Sequence, residues 1–193
     1  QKEKIMNHKM LEKFEDCPVI AAIKDDDGLK KCLDSDIQIV FVLYGDICSI
    51  SGIVSTLKKA GKTVIIHIDL IAGLSSKEIA VTYIKSVTHA DGIISTRPAV
   101  IRETREEGLF AIMRFFVIDS IAFENIKRQT ESVHPDMIEI LPGVMPKVIK
   151  KICSQSRIPV IAGGLISDKE DIMAALGAGA VSISTTNQTV WFM

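Results

Sequence analysis

The sequence is poor in aromatic residues: they make up 5% of it, with Trp191 the single tryptophan. So thin a supply argues against a stacking platform that reads single-stranded nucleic acid base by base. Charge is nearly balanced, at a formal net of -1, which excludes a generally basic surface and leaves room for a local patch. The four cysteines, Cys17, Cys32, Cys48 and Cys153, include no C-x-x-C pair, so neither a zinc framework nor a disulfide scaffold is expected. No apolar run approaches the roughly 18 residues of a membrane span, and residues 1–9 are polar and of mixed charge, unlike a signal sequence. A cytoplasmic protein without membrane contact is the expectation. Nucleophile-elbow, P-loop and catalytic metal motifs are absent.

What is abundant is apolar: 47% of 193 residues. Parallel strands buried on both faces need that much, whereas an open antiparallel sheet with one wet face does not. β-Branched runs predict strands at 19–23, 37–44, 63–69, 92–96, 109–118, 137–141, 158–162 and 180–184. Helical patterns fall between them, at 28–33, 47–60, 77–89, 98–108, 120–132, 146–154 and 167–176. A lead-in helix within 1–15 carries Ile5, Met6, Met10, Leu11 and Phe14 near helical spacing. Eight strands alternating with helices, without a linker or composition break, predict one domain over 1–193, a closed (β/α)8 TIM-type barrel. At about 250 residues a barrel is usually longer, so the loops must be short. A flavodoxin-like doubly wound sheet is the alternative, and it leaves strands over.

Barrel sites are built at the C-terminal ends of the strands. Those ends supply Lys24, Asp46, His67 with Asp69, Arg97, Arg114, Asp119 and Glu139. The competing account of any one of them is that strands stop where polar loops begin. His67 and Asp69, two apart on strand 63–69, project the same way and suit a shared ligand, a metal pair or a mutual hydrogen bond. Only distant carboxylates offer the third ligand that a catalytic zinc wants, so no metal is assigned. Arg114 sits mid-strand between Met113 and Phe115, where a guanidinium needs a carboxylate or a ligand anion; Glu139 on the next strand is the obvious partner. After the last two strands come Gly163-Gly164 and Ser184-Thr185-Thr186-Asn187. Tight βα packing explains the glycines alone. Together the two turns form the phosphate cup expected after strands seven and eight, with Gly163, Gly164, Ser184 and Thr185 as its walls.

The strings His67-Ile68-Asp69-Leu70-Ile71, Asp91-Gly92-Ile93-Ile94-Ser95-Thr96, Ile118-Asp119-Ser120 and Glu139-Ile140-Leu141-Pro142-Gly143-Val144-Met145-Pro146-Lys147, with 158–166 and 184–191, resemble the glycerol uptake operon antiterminator family. The resemblance runs from about the first helix to Trp191. It implies a bacterial, non-catalytic regulator of glycerol metabolism. Such a protein binds glycerol 3-phosphate as effector, needs no cofactor, binds the leader mRNA of glycerol-utilisation genes and prevents premature termination. Three positions depart from the family pattern: Arg97 stands where lysine is expected, Ala72 where glutamate is, and Met113 where glutamine is.

On that reading Lys24, Arg97 or Arg114 adds charge to the cup, and Asp69 or Glu139 accepts hydroxyl protons. The RNA contacts would be phosphate contacts from Arg102 and Arg105, Lys127 and Arg128, and Lys147, Lys150 and Lys151, on three consecutive outer helices. Lys147, Lys150 and Lys151 share a helical face, though a solvated face explains them equally. A homo-oligomer would extend the strip. The competing functions are an isomerase, epimerase or phosphate-ester hydrolase using His67, Asp69 and Glu139, and a metabolite-binding subunit that touches no RNA.

Overall fold

The computed structural model describes residues 2–193, with side chains from His8 onward. The expected Ile5 and Met6 side chains of the lead-in helix lie outside the described residues. Eight parallel strands close into a barrel in sequence order: β1 (Val19–Ile23), β2 (Ile39–Val42), β3 (Thr63–His67), β4 (Gly92–Ser95), β5 (Phe110–Phe116), β6 (Met137–Leu141), β7 (Val160–Gly163) and β8 (Ser182–Thr185). Pairing of β1 with β8, Val19 opposite Ile183, completes the ring. This excludes the doubly wound sheet. The helices are α1 (Lys2–Asp16), α2 (Asp26–Leu33), α3 (Ile50–Lys59), α4 (Ile79–Val87), α5 (Pro98–Glu106), α6 (Ser120–Val133), α7 (Pro146–Gln155) and α8 (Lys169–Gly177). Among the described residues no helix is long and apolar enough to cross a membrane.

Strand alternation sorts side chains into two layers. Ile20, Ala22, Ile39, Phe41, Ile65, Ile94, Phe110, Ile112, Met137 and Ile161 fill the interior, and the intervening residues pack outward on the helices. The base is shut by α1. Phe14 stacks on Phe110 with ring centroids 5.5 Å apart and tilts against Phe41 at 6.4 Å. Ser182 Oγ donates to the Phe14 carbonyl at 3.0 Å, so the aromatic residues that the interior holds gather at the base. The interior parity then continues upward to His67, Arg114, Glu139, Gly163 and Ser184 at the open end.

Several elements are shorter than their apolar runs. β2 and β5 occupy only the inner parts of 37–44 and 109–118, because the ladder ends before the apolar residues do; Ile118 lies beyond it and exposed. Helix α2 starts earlier than expected, since Asp25 caps it by accepting from Gly28 N–H at 2.7 Å. The expected strand 63–69 is a real correction: β3 stops at His67 and Ile68–Leu70 form a 3₁₀ turn.

Candidate functional site

The centre of the open end is a buried charge cluster. Glu139 of β6 is fully buried and lies directly opposite Arg114 of β5 in the parallel register. Arg114 Nε donates to Glu139 Oε2 at 2.5 Å, and Ser184 Oγ of β8 donates to Oε1 at 2.5 Å. A carboxylate taken out of water this completely needs both contacts. The ion pair expected from two charges in mid-strand is therefore present, and its Nε geometry leaves the Nη groups as donors on the cavity side.

Glu139 and Ser184 meet across β7 because Gly163 stands between them. A Cβ there would lie 2.5 Å from Glu139 Oε1 and 2.6 Å from Ser184 Oγ. Gly163 is thus a strand residue that makes room, which corrects its expected place in a phosphate turn. The turn itself begins at Gly164, at φ +79°, followed by Leu165 at φ +63°. Its carbonyl accepts from Gly143 N–H at 3.0 Å, so the Pro142-Gly143 segment after β6 braces the loop after β7.

Above the cluster opens a cavity of about 440 Å³, walled by Lys24, Arg114, Glu139, Gly164, Ser184 and Thr185, with loop residues 165–167 and 186–187 at its edge. All six of these wall residues were expected in the mouth or cup; the edge residues Thr186 and Asn187 follow directly from the quoted turn. The hydroxyls, however, are not free cup donors. Ser184 serves Glu139, while Thr185 Oγ1 donates to the Ile166 carbonyl at 2.8 Å and accepts from Asn187 N–H at 3.0 Å. An anion here would meet backbone N–H groups of the two loops, Arg114 Nη and Lys24.

The other expected mouth residues do not converge on this cavity. Asp46 turns back onto its own loop, accepting from Cys48 N–H and Ser49 N–H at 2.8 Å each. Those same bonds hold its carboxyl below the usual carboxylate range. Asp69 binds Arg97 Nη2 at 2.6 Å, Ser95 Oγ at 2.8 Å and Thr96 N–H at 2.8 Å. Burial pushes the Asp69 carboxyl up, but the hydrogen bonds from Thr96, Ser95 and Arg97 outweigh it and hold the pKa low. Arg97 Nη1 also reaches the Ser76 carbonyl. Asp69 and Arg97 therefore clamp the loops after β3 and β4, and the expected His67–Asp69 pairing is replaced.

His67 shares the interior parity of Ile65 and lies near enough to Arg114 to feel its charge. Burial, reinforced by the Arg114 charge, lowers its pKa to about 4, so it is neutral at pH 7. Its Nδ1 is buried and makes no hydrogen bond. Among the described residues no group of three His, Cys, Asp or Glu side chains could hold a metal.

The basic outer strip is interrupted. Lys151 Nζ sits 4.6 Å from the Phe123 ring centroid, Lys127 lies 4.0 Å from Glu131, and Arg128 donates to Asn125 Oδ1 at 2.7 Å. Arg105 is half-buried with Nε enclosed. Arg102, Lys147 and Lys150 point into solvent. Sequence reasoning missed a groove of about 550 Å³ between the C-terminal halves of α6 and α7, bordered by Lys127, His134 and Arg157. It lies at the opposite end from the charge cluster.

Fold and mouth together define a TIM barrel with short loops and, at the C-terminal ends of β7 and β8, a cavity whose partly apolar wall carries Lys24, Arg114 and Glu139. The chain belongs to the glycerol-3-phosphate responsive antiterminator family, whose model matches residues 19–191. It is 51% identical to the uncharacterized protein YgcP of Escherichia coli (strain K12) over 174 residues, 90% of this chain and 91% of that one. It resembles the crystal structure of the glycerol uptake operon antiterminator regulatory protein from Listeria monocytogenes str. 4b F2365, at 33% identity and TM-score 0.87, covering 90% of this chain and 94% of that one. A glycerol uptake operon antiterminator-related protein from Thermotoga maritima MSB8 is 35% identical with TM-score 0.81, covering 91% and 98%.

Proposed function

We propose that this chain is a glycerol-3-phosphate-responsive transcription antiterminator that senses its effector in the barrel mouth. The observation that carries the proposal is the buried Arg114–Glu139–Ser184 cluster beneath a cavity edged by the loops after β7 and β8. The phosphate sits against loops 164–167 and 186–187, near Lys24 and the Arg114 Nη groups. The two free hydroxyls of glycerol 3-phosphate lie toward Glu139 and the free Nδ1 of His67. The effector leaves unchanged: Glu139 is tied by two hydrogen bonds and neutral His67 has no carboxylate partner, so the pair forms no acid–base set.

The loaded protein binds the leader mRNA of glycerol-utilisation genes in the cytoplasm and prevents premature termination. Arg102 and Lys150 are the cations available for phosphate contacts, with the exposed Arg128 on the helix between theirs. Thermal unfolding tests the effector half. At a hundred times its Kd, glycerol 3-phosphate adds about 2.7 kcal/mol and raises the Tm, while glycerol does not; equal shifts refute the cup. Gel shifts with a glycerol-operon leader test the other half: affinity rises with effector and falls steeply with salt. RNA binding that ignores the effector removes the switch.

A further inference from the structure

We propose that the apolar rim beside the mouth is the contact face of a two-fold dimer of this chain, laid mouth toward mouth. The end of β5, the loop after it, the start of α6 and the loops after β6 and β7 hold large apolar side chains in water: Phe116 is 54% exposed, Ile118 84%, Ile121 68%, Leu165 75% and Val144 37%. The Phe116 and Leu165 sides of the rim are joined through the barrel. Phe116 is paired with Leu141 across the β5–β6 ladder, the Leu141 side chain packs toward Gly164, and Gly164 leads into Leu165.

The face is also rigid before any partner arrives. Asp119, between Ile118 and Ile121, accepts from Ala122 N–H at 2.7 Å and fixes the start of α6. Leu165 is held in the left-handed region, at φ +63°, next to a carbonyl braced by Gly143. A branched residue in that conformation with its side chain in water is costly in isolation, and contact with apolar surface offsets the exposure.

Area and charge select a second copy as the occupant. The rim leaves on the order of 400 Å² of apolar side-chain surface exposed. One side of a stable interface buries about 800 Å², a little over half of it apolar, so the rim supplies nearly the whole apolar share. A two-fold interface must be self-complementary. The flanks are opposite in sign: Glu124 stands one turn beyond Ile121 on α6, and Lys147 three residues beyond Val144 at the start of α7, both exposed. Laying the Ile118–Ile121 side of one copy on the Leu165–Val144 side of the other sets these charges against each other twice. RNA is the poorer occupant, because aliphatic side chains offer bases no ring to stack on and the nearest charges on α6 are acidic.

Sedimentation velocity on the full chain, over about a hundredfold range of concentration, tests this. The unaltered protein is expected to sediment as a dimer. Ile118→Glu and Leu165→Asp each weaken the dimer by about 30-fold or more. Aspartate tolerates the left-handed conformation, so Leu165→Asp keeps the fold, which circular dichroism checks. Glu124→Lys and Lys147→Glu each weaken association, and the two together restore it. Monomer at every concentration overturns the proposal, as does a dimer untouched by both rim substitutions. Loss of leader-RNA binding by Ile118→Glu in a protein that is always monomeric overturns it in favour of RNA.

Discussion

Gly163→Ala is the most searching single change, because it adds one methyl group where two buried polar atoms meet. The new Cβ would stand 2.5 Å from Glu139 Oε1 and 2.6 Å from Ser184 Oγ. Neither atom can simply swing away. Glu139 is fully buried and tied to Arg114, and Ser184 is nearly as buried. Overpacking a core of this kind costs about 1–3 kcal/mol. Displacing the Ser184 hydroxyl from a charged acceptor adds about 1.5–3 kcal/mol. The sum, about 2.5–6 kcal/mol, is a large part of the roughly 5–15 kcal/mol that holds a domain folded. Urea denaturation followed by circular dichroism measures it, and thermal unfolding should show a fall in Tm of about 5–24 °C for a chain of this size. Gly164→Ala is the internal comparison: its Cβ meets only the Leu141 side chain, at 3.2 Å, and its cost is the left-handed φ of +79°. That cost is about 1–2 kcal/mol. Adding Ser184→Ala to Gly163→Ala removes one of the two clashes, so the double variant should be less destabilised than the sum by about 0.5–3 kcal/mol. A Gly163→Ala protein within about 1 kcal/mol of the parent would show that Glu139 and Ser184 are not pinned, and the account of the cluster would fall.

Arg114→Met strands a buried carboxylate and should cost about 3–5 kcal/mol, whereas Arg114→Met with Glu139→Gln should recover much of it; chemical denaturation of both separates the pair from its members. His67 is lowered to about 4 in the folded chain from 6.5, so the unfolded chain binds the extra proton first. Its contribution is complete above pH 6.5 and is lost as the pH falls toward 4, by up to about 3 kcal/mol; His67→Gln should flatten that part of the pH profile. Asp69 is also depressed in the folded state, from 3.8; its contribution is present above that value and lost as acid titrates the folded carboxyl, and Asp69→Asn removes that dependence. Reversing charge at Arg102 and Lys150 should lower the salt slope of RNA binding while the glycerol 3-phosphate shift in Tm stays; loss of both would make those side chains structural.

The barrel was legible because each strand is a short β-branched run, and a turn or helix signal separates it from the next. Its boundaries were less so: Ile37, Val117 and Ile118 extend their runs beyond the ladder, and nothing local says where pairing ends. Arg114 and Glu139 could be matched because each is a charge in mid-strand, and a buried charge demands a partner. The role of Gly163 could not, since what a glycine faces depends on the register of β6, β7 and β8 together. Asp46 and Asp69 were misplaced for another reason. Asp46 folds back onto N–H groups of its own loop, Asp69 crosses to Ser95, Thr96 and Arg97 of the next loop, and neither choice leaves a periodic trace. Lys151 looked like a free cation until α6 brought Phe123 beneath it.

The stacked rings of Phe14 and Phe110 close the base of the barrel, and that closure has a kinetic side. A chamber with one door sends every molecule out by the way it came in. The residence time of anything held above Glu139 is then governed by the loops after β7 and β8 and by whatever lies across the rim, while the base takes no part. Substitutions at Leu165 or Thr186 should therefore act on dissociation rates well before they alter the fold.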